Sequence, residues 1–327
     1  MNDSTATVTV SRYLTDEHST AALADDVRSG LTGRPKVLPP KHFYDARGSE
    51  LFEYITRLPE YYPTRAERTI LEEHAVEIAR LSAADTVVEL GSGSSAKTRL
   101  LLDGLRSADG LRRYIPVDVS ESALVDAVRA LHGEYPELTM HGVVADFAQQ
   151  LHLLPREGNR LLAFLGGTIG NLTPAERADF LRQTRAHLAP GETLLLGTDL
   201  VKDTTRLLAA YDDAAGVTAQ FNKNVLHVIN RELDGHFDPE TFTHVAAWDE
   251  ELEQVEMRLR STTDQTVPID DLDLVVPFAA GEEMRTEISA KFRKERVAAE
   301  LRSAGMTLAQ WWTDPAGDFA VSLSVAT

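Results

Sequence analysis

The sequence predicts an α/β protein: a parallel, doubly wound sheet with a terminal antiparallel hairpin, plus a second, smaller α+β lobe. Three observations predict it. Short apolar, β-rich runs alternate with helical patterns through the middle of the chain, the tail carries two more β-rich runs around a turn, and two stretches fit neither pattern.

The first of those stretches covers residues 1–62, where "PPKHFYD" and "LPEYYPTR" are rich in proline and aromatics. It ends where Thr64 and Glu67 have the spacing of a capping box opening the helix "RAERTILEEHAVEIARL". Five strands follow: "DTVVEL" (85–90), "RRYIPVD" (112–118), "LTMHGVVAD" (138–146), "RLLAFLG" (160–166) and "ETLLLGTD" (192–199). Helical patterns such as "AKTRLLLDGL" and "SESALVDAVRALHGEY" separate them, the spacing of a parallel sheet. The second stretch, 201–290, opens with a helical "TTRLLAAYDDAAG" and continues with β-like alternation in "FTHVAAWDEELEQVEMRLRSTT". The tail reads as a hairpin, "TLAQWWTD" and "FAVSLSVA" around "PAGD". Residues 63–200 and 291–327 are thus expected to form the sheet domain, and 1–62 with 201–290 a lobe over the sheet's carboxyl ends, where open α/β folds bind ligands.

Composition narrows the function. The 327 residues, 43% hydrophobic and 26% charged, suit a globular chain of one large or two modest domains. Fifty-one acids against 33 Lys and Arg give a formal charge of -18, which repels phosphate backbones and anionic membranes, so neither nucleic acid nor membrane is an expected partner. With no cysteine, disulfide and thiolate chemistry are excluded. The ten histidines show no metal-ligand spacing, and no metal is expected. The start "MNDSTATVTVSRYL" lacks the pattern of a targeting segment, and no apolar run approaches the roughly 20 residues that span a bilayer. The expectation is a cytoplasmic monomer acting on a small molecule.

Chemistry is concentrated at the ends of the strands. In "VVELGSGSSAKT", Gly91, Gly93 and Ala96 form a small-residue loop between strand and helix that lets backbone amides approach a nucleotide. The spacing alone fits a dinucleotide dehydrogenase equally well. Asp118 closes the second strand, where a carboxylate accepts from ribose hydroxyls; Asp146 closes the third, placed for an adenine amino group, with Phe147 for the ring. Glu89 adds negative charge near the loop, and Glu89 together with "ADF" at 145–147 weighs toward S-adenosylmethionine (SAM) over NAD. The stretch "FLGGTIGNLTP" then loosens into Gly166, Gly167 and Gly170 and stops at Asn171, an amide that can orient a substrate but cannot take its proton.

Taken with "PKHFYD", "LPEYYPTR", "ELGSGSSAKTR", "GTDLVKD", "YDDAAGVTAQFN", "FAAGEEM", "TEISAKF" and "WWTDPAGDF", these residues resemble the histidine-specific Nα-methyltransferases of the ergothioneine pathway, from about residue 35 to the final strand. The resemblance implies a class I SAM-methyltransferase fold and trimethylation of the α-amino group of L-histidine to hercynine, with SAM as methyl donor. Position by position it implies Tyr44, Gly91, Lys97, Asp118, Asp146 and Phe147 as the SAM set, and Tyr61, Asn171, Tyr211, Met257, Glu287 and Ser289 as the histidine pocket. Tyr44 is also the implied proton acceptor. Each has a simpler reading beside it. Asn171 could cap the next helix in competition with Thr173 and Glu176, Tyr211 and Met257 have core spacing, and Glu287 sits in the acidic run "GEEMRTE" like a surface acid. Methylation of another amino acid, NAD-linked oxidation and ligand binding without catalysis are the competing functions.

Overall fold

The computed structural model describes residues 7–14, 16–93, 97–108 and 110–327. Ala96, expected in the glycine loop, lies outside the described residues. The chain divides into two compact units: the described part of 1–14 with 63–200 and 292–327, and 15–62 with 201–291.

The first unit holds an eight-stranded sheet in the order Val8–Arg12, Thr139–Val144, Arg113–Asp118, Thr86–Leu90, Arg160–Phe164, Thr193–Asp199, Phe319–Ala326, Met306–Thr313. The first six strands pair in parallel, and Phe319–Ala326 pairs antiparallel with both of its neighbours. Thr86–Leu90, Arg160–Phe164 and Thr193–Asp199 are buried throughout, which is why their sequences are continuous apolar runs and not alternating ones. Helices Pro63–Ser82, Thr98–Ser107 and Glu121–Glu134 share one apolar cluster, from Ile70, Leu101 and Leu124 to Val87, Leu161 and Val321 of the strands. This is the class I methyltransferase arrangement.

The expected boundaries shift at the N-terminus. Val8–Arg12 joins the large sheet as its edge strand, beside Thr139–Val144, whereas the sequence pattern puts residues 1–62 in the second lobe. The short polar alternation "VTVSR", largely exposed, carried no sign of the strand it would meet.

The second unit contains a four-stranded sheet, ordered Lys36–Val37, Glu283–Ala290, Gln254–Ser261, Phe242–Asp249, and a hairpin of Gln265–Ile269 with Leu274–Phe278. Helices Ala46–Ile55, Thr204–Tyr211 and Val217–Glu232 add Leu51, Leu207 and Phe221 to its apolar core. Val217–Glu232 was not anticipated; Asp213 supplies the signal, its carboxylate accepting from Val217 and Thr218 N–H at 3.0 and 2.7 Å where the helix begins. Among the described residues no helix is long and apolar enough to cross a membrane.

Candidate active site

In the sheet unit, Leu90, Asp118, Val144 and Phe164 end neighbouring strands, so the loops that follow them emerge side by side. Gly91 and Gly93 have φ of +70° and +47°, a region costly for residues with a Cβ, and a Cβ at either would touch nothing among the described residues. The backbone conformation itself therefore favours glycine there. The Gly93 N–H donates to Asp118 Oδ2 at 3.1 Å and the Ser120 N–H to Oδ1 at 3.0 Å, so Asp118 ties the glycine loop to its own strand end. Burial raises its pKa, which these backbone donors partly offset. The Ala145 N–H bonds Asp118 O at 3.1 Å, bringing Asp146 alongside. Phe147 packs edge-on against Phe164 at 5.1 Å, which fixes its ring.

Glu89 differs from its expected role. Its carboxylate turns into the core, accepting from Tyr114 Oη at 2.6 Å and Thr98 Oγ1 at 2.7 Å, and burial pushes its pKa up to about 7. The acid that anchors this end of the sheet is Glu67, fully buried, which pairs with Lys97 and accepts from the Gly166 N–H at 2.7 Å. The capping-box reading of Thr64 and Glu67 is accordingly wrong: the helix already begins at Pro63, and Glu67 reaches across to another strand's end. Gly197 makes room for it, since a Cβ there would lie 2.2 Å from Glu67 Oε1. Glu67 was missed because its spacing had an adequate local explanation.

Asn171 closes the turn Thr168–Asn171 behind Gly166 and Gly167, both with left-handed φ. The helix Pro174–His187 is capped by Thr173 and Glu176, which form both bonds of the capping box. Asn171 is not that cap. Its carboxamide makes no hydrogen bond among the described residues and remains available.

In the second unit, Glu287 lies opposite Met257 and Ser289 opposite Val255 across the antiparallel pair. A bulge between Arg285 and Glu287 resets the pleat, so Met284, Glu287 and Ser289 share the face that holds Leu259, Met257 and Val255 in the core. Glu287 is only 8% exposed, which removes the surface-acid reading, and burial lifts its pKa to about 7 against the pull of Lys291. Ser289 Oγ lies 2.7 Å from Tyr211 Oη.

A chain of bonds holds Tyr211 relative to the bulge. The Thr286 hydroxyl donates to Asn222 Oδ1 at 2.6 Å, and Asn222 Nδ2 donates to His244 Nδ1 at 2.8 Å. His244, its pKa lowered by burial, is therefore the neutral Nε2–H tautomer and donates to Tyr211 O at 2.8 Å. Tyr44 and Tyr61 belong to an aromatic group in the same unit: Tyr44 meets Phe52 at 5.7 Å and Phe221 at 5.5 Å, and Tyr61 meets Phe52 at 6.1 Å.

Comparison with known proteins agrees with this chemistry. The family model described as "Histidine-specific methyltransferase, SAM-dependent" matches residues 23–326. The chain is 57% identical to the histidine N-alpha-methyltransferase of Mycolicibacterium smegmatis, covering 98% of this chain and 99% of that protein. It is 55% identical to the protein of that name from Mycobacterium tuberculosis, covering 97% and 99%. Ergothioneine biosynthesis protein 1 of Neurospora crassa is 34% identical over 60% of this chain and 23% of its own length. A SAM-methyltransferase topology, a glycine loop tied to Asp118 and a match across nearly the whole chain lead to one assignment: the chain belongs to the SAM-dependent, histidine-specific methyltransferases.

Proposed function

We propose that the chain trimethylates the α-amino nitrogen of L-histidine to hercynine, the first step of ergothioneine biosynthesis, as a cytoplasmic enzyme working on a free small molecule. The observation that carries the choice of substrate is the buried pair Glu287 and Ser289, an acceptor and a hydroxyl two residues apart on one strand face. A neutral imidazole has one N–H donor and one acceptor nitrogen, the complement of that pair. The names of the two mycobacterial relatives support the same reading.

The donor set also fits SAM. Each Asp118 oxygen accepts one loop N–H and keeps a second lone pair for a ribose hydroxyl. Asp146 and Phe147 are assigned to the adenine, and Lys97, Gly91 and Tyr44 to the rest of the molecule. When bound, SAM supplies an electrophilic methyl group on a sulfonium.

The protein's own part is positioning, which can supply roughly 7–11 kcal/mol of a barrier. Asn171 and Tyr211 are assigned to the substrate carboxylate, Asn171 as an uncharged donor, while Met257 and Tyr61 line the pocket. An ammonium has no lone pair, so each round needs a neutral amine. Solvent removes that proton before binding, because no carboxylate is assigned to the amine; the Tyr44 hydroxyl is the alternative acceptor. Each transfer forms one N–C bond, and after the third the nitrogen is quaternary and has no lone pair left to react. Mass spectrometry of histidine incubated with protein and SAM tests the proposal: a product three methyl groups heavier is expected, and unchanged histidine refutes it.

A further inference from the structure

Lys291 belongs to neither residue set above, yet it is fully buried. Its Nζ lies 2.8 Å from Tyr211 Oη, 2.8 Å from Ser289 Oγ and 4.6 Å from the centroid of the Tyr211 ring. The two hydroxyl oxygens are themselves 2.7 Å apart. An ammonium only donates, so both hydroxyls accept from Lys291. One hydroxyl hydrogen is spent on the bond between them, so a single hydroxyl hydrogen remains to leave the pair, beside the third N–H of the ammonium. It points outward from Tyr211 or from Ser289, but not from both while their mutual bond persists.

The same lysine faces the buried acid. The Lys291 N–H bonds Glu253 O at 2.7 Å, continuing the strand pairing past Ala290, so the two-residue alternation places Glu287, Ser289 and Lys291 on one face. Lys291 is also the charge that draws the Glu287 carboxyl down against its burial. A carboxylate in such a place is tolerated when an opposite charge stands near it.

We propose that Lys291 is a positioning residue of the amino-acid pocket: it locks the Tyr211 and Ser289 hydroxyls into one directional donor and is the countercharge that keeps Glu287 an acceptor for an N–H-bearing side chain. The proposal rests on the histidine reading above and names what makes that pocket polar without a second acid. The cluster as a whole, one cation, one anion and two hydroxyls, is matched to a side chain with both a donor and an acceptor edge. Apolar amino acids satisfy neither.

The test uses the full chain and compares Lys291→Met, which keeps the length of the stem and loses the charge, with Lys291→Gln, which retains donors without charge. Calorimetry with SAM should give affinities within twofold of the parent, since Tyr211, Ser289 and Glu287, to which Lys291 is tied, are assigned to the amino acid and not to SAM. The KM for histidine should rise about 30-fold or more in Lys291→Met and kcat should change less, a split that general loosening of the fold would not produce. Glu287→Gln should cost much less in the Lys291→Met background than in the parent, because the two charges act as a unit. A histidine KM within threefold of the parent overturns the role, as do independent, multiplying effects of the two substitutions. Failure of both Lys291 variants to fold, read by circular dichroism, overturns it in favour of a purely structural lysine. Parent turnover in the same assay keeps the two readings apart: an inert parent overturns the proposed function, whereas an active parent with an indifferent Lys291→Met overturns only the part given to Lys291.

Discussion

Replacing Glu67 with alanine removes a fully buried carboxylate that joins Lys97 to the Gly166 backbone. Two magnitudes compete. Breaking a buried ion pair costs about 3–5 kcal/mol when the surviving partner is trapped away from water. Losing a charge-assisted hydrogen bond whose partner can rehydrate costs about 1.5–3 kcal/mol. The Lys97 side chain is 23% exposed and Gly166 is exposed, so both regain water and the smaller figure governs. The expected loss is about 2–3 kcal/mol, in the sheet unit only.

Fluorescence can isolate that unit. Of the three tryptophans, Trp311 and Trp312 lie on the strand Met306–Thr313 and Trp248 lies in the second unit, so a Trp248→Phe background reports the sheet alone. At an m-value of about 3 kcal/mol per M, the urea midpoint should fall by about 0.7–1 M. Glu67→Gln, which keeps the acceptor for Gly166 and loses the charge, should lie between variant and parent. A midpoint for Glu67→Ala within about 0.2 M of the parent would refute the anchoring role. Gly197→Ala gives a steric check: a Cβ there lies 2.2 Å from Glu67 Oε1, so Glu67→Ala should relieve part of its cost. Relief stays partial because Phe319 and the Gly166 nitrogen stand at 3.2 and 3.3 Å.

Four further outcomes are expected. Asp118→Ala should weaken SAM binding by about 1.5–3 kcal/mol, the worth of a charge-assisted hydrogen bond, and unchanged affinity in calorimetry would remove Asp118 from the ribose. Histamine, which lacks the carboxylate, should be a very poor substrate; turnover matching histidine would mean that Asn171 and Tyr211 hold something else. Glu287→Ala should cut histidine turnover heavily and improve the relative rate with leucine, phenylalanine or tryptophan, since sites built for a polar substrate reject apolar analogues by about 10⁴-fold, and an unchanged ranking in competition assays would contradict this. Glu89 has its pKa raised from 4.5 to about 7, so the stability it contributes is fully present below the lower value and is lost as pH rises through the higher one. That loss reaches about 3 kcal/mol. Glu89→Gln, which keeps an acceptor for Tyr114 and Thr98, should flatten the fall in urea midpoint between about pH 5 and 8, and an identical pH profile would show that Glu89 does not titrate there.

The sequence by itself determined what depends on near neighbours. Continuous apolar runs marked the strands buried on both faces, and "WWTDPAGDF" marked the turn of the terminal hairpin, because a strand's surroundings select its residues one by one. The two-residue period of an extended backbone puts Glu287 and Ser289 on one face, and the same period extends to Lys291. Tertiary structure decided what depends on distant partners. Glu67 meets Gly166 across 99 positions, Tyr211 meets Ser289 across 78, and Val8–Arg12 pairs with a strand more than a hundred residues away. The environment of Glu287 is of the same kind: nothing beside it in the chain distinguishes it from a solvated acid, and its pKa rises only because remote segments close over it and remove the water.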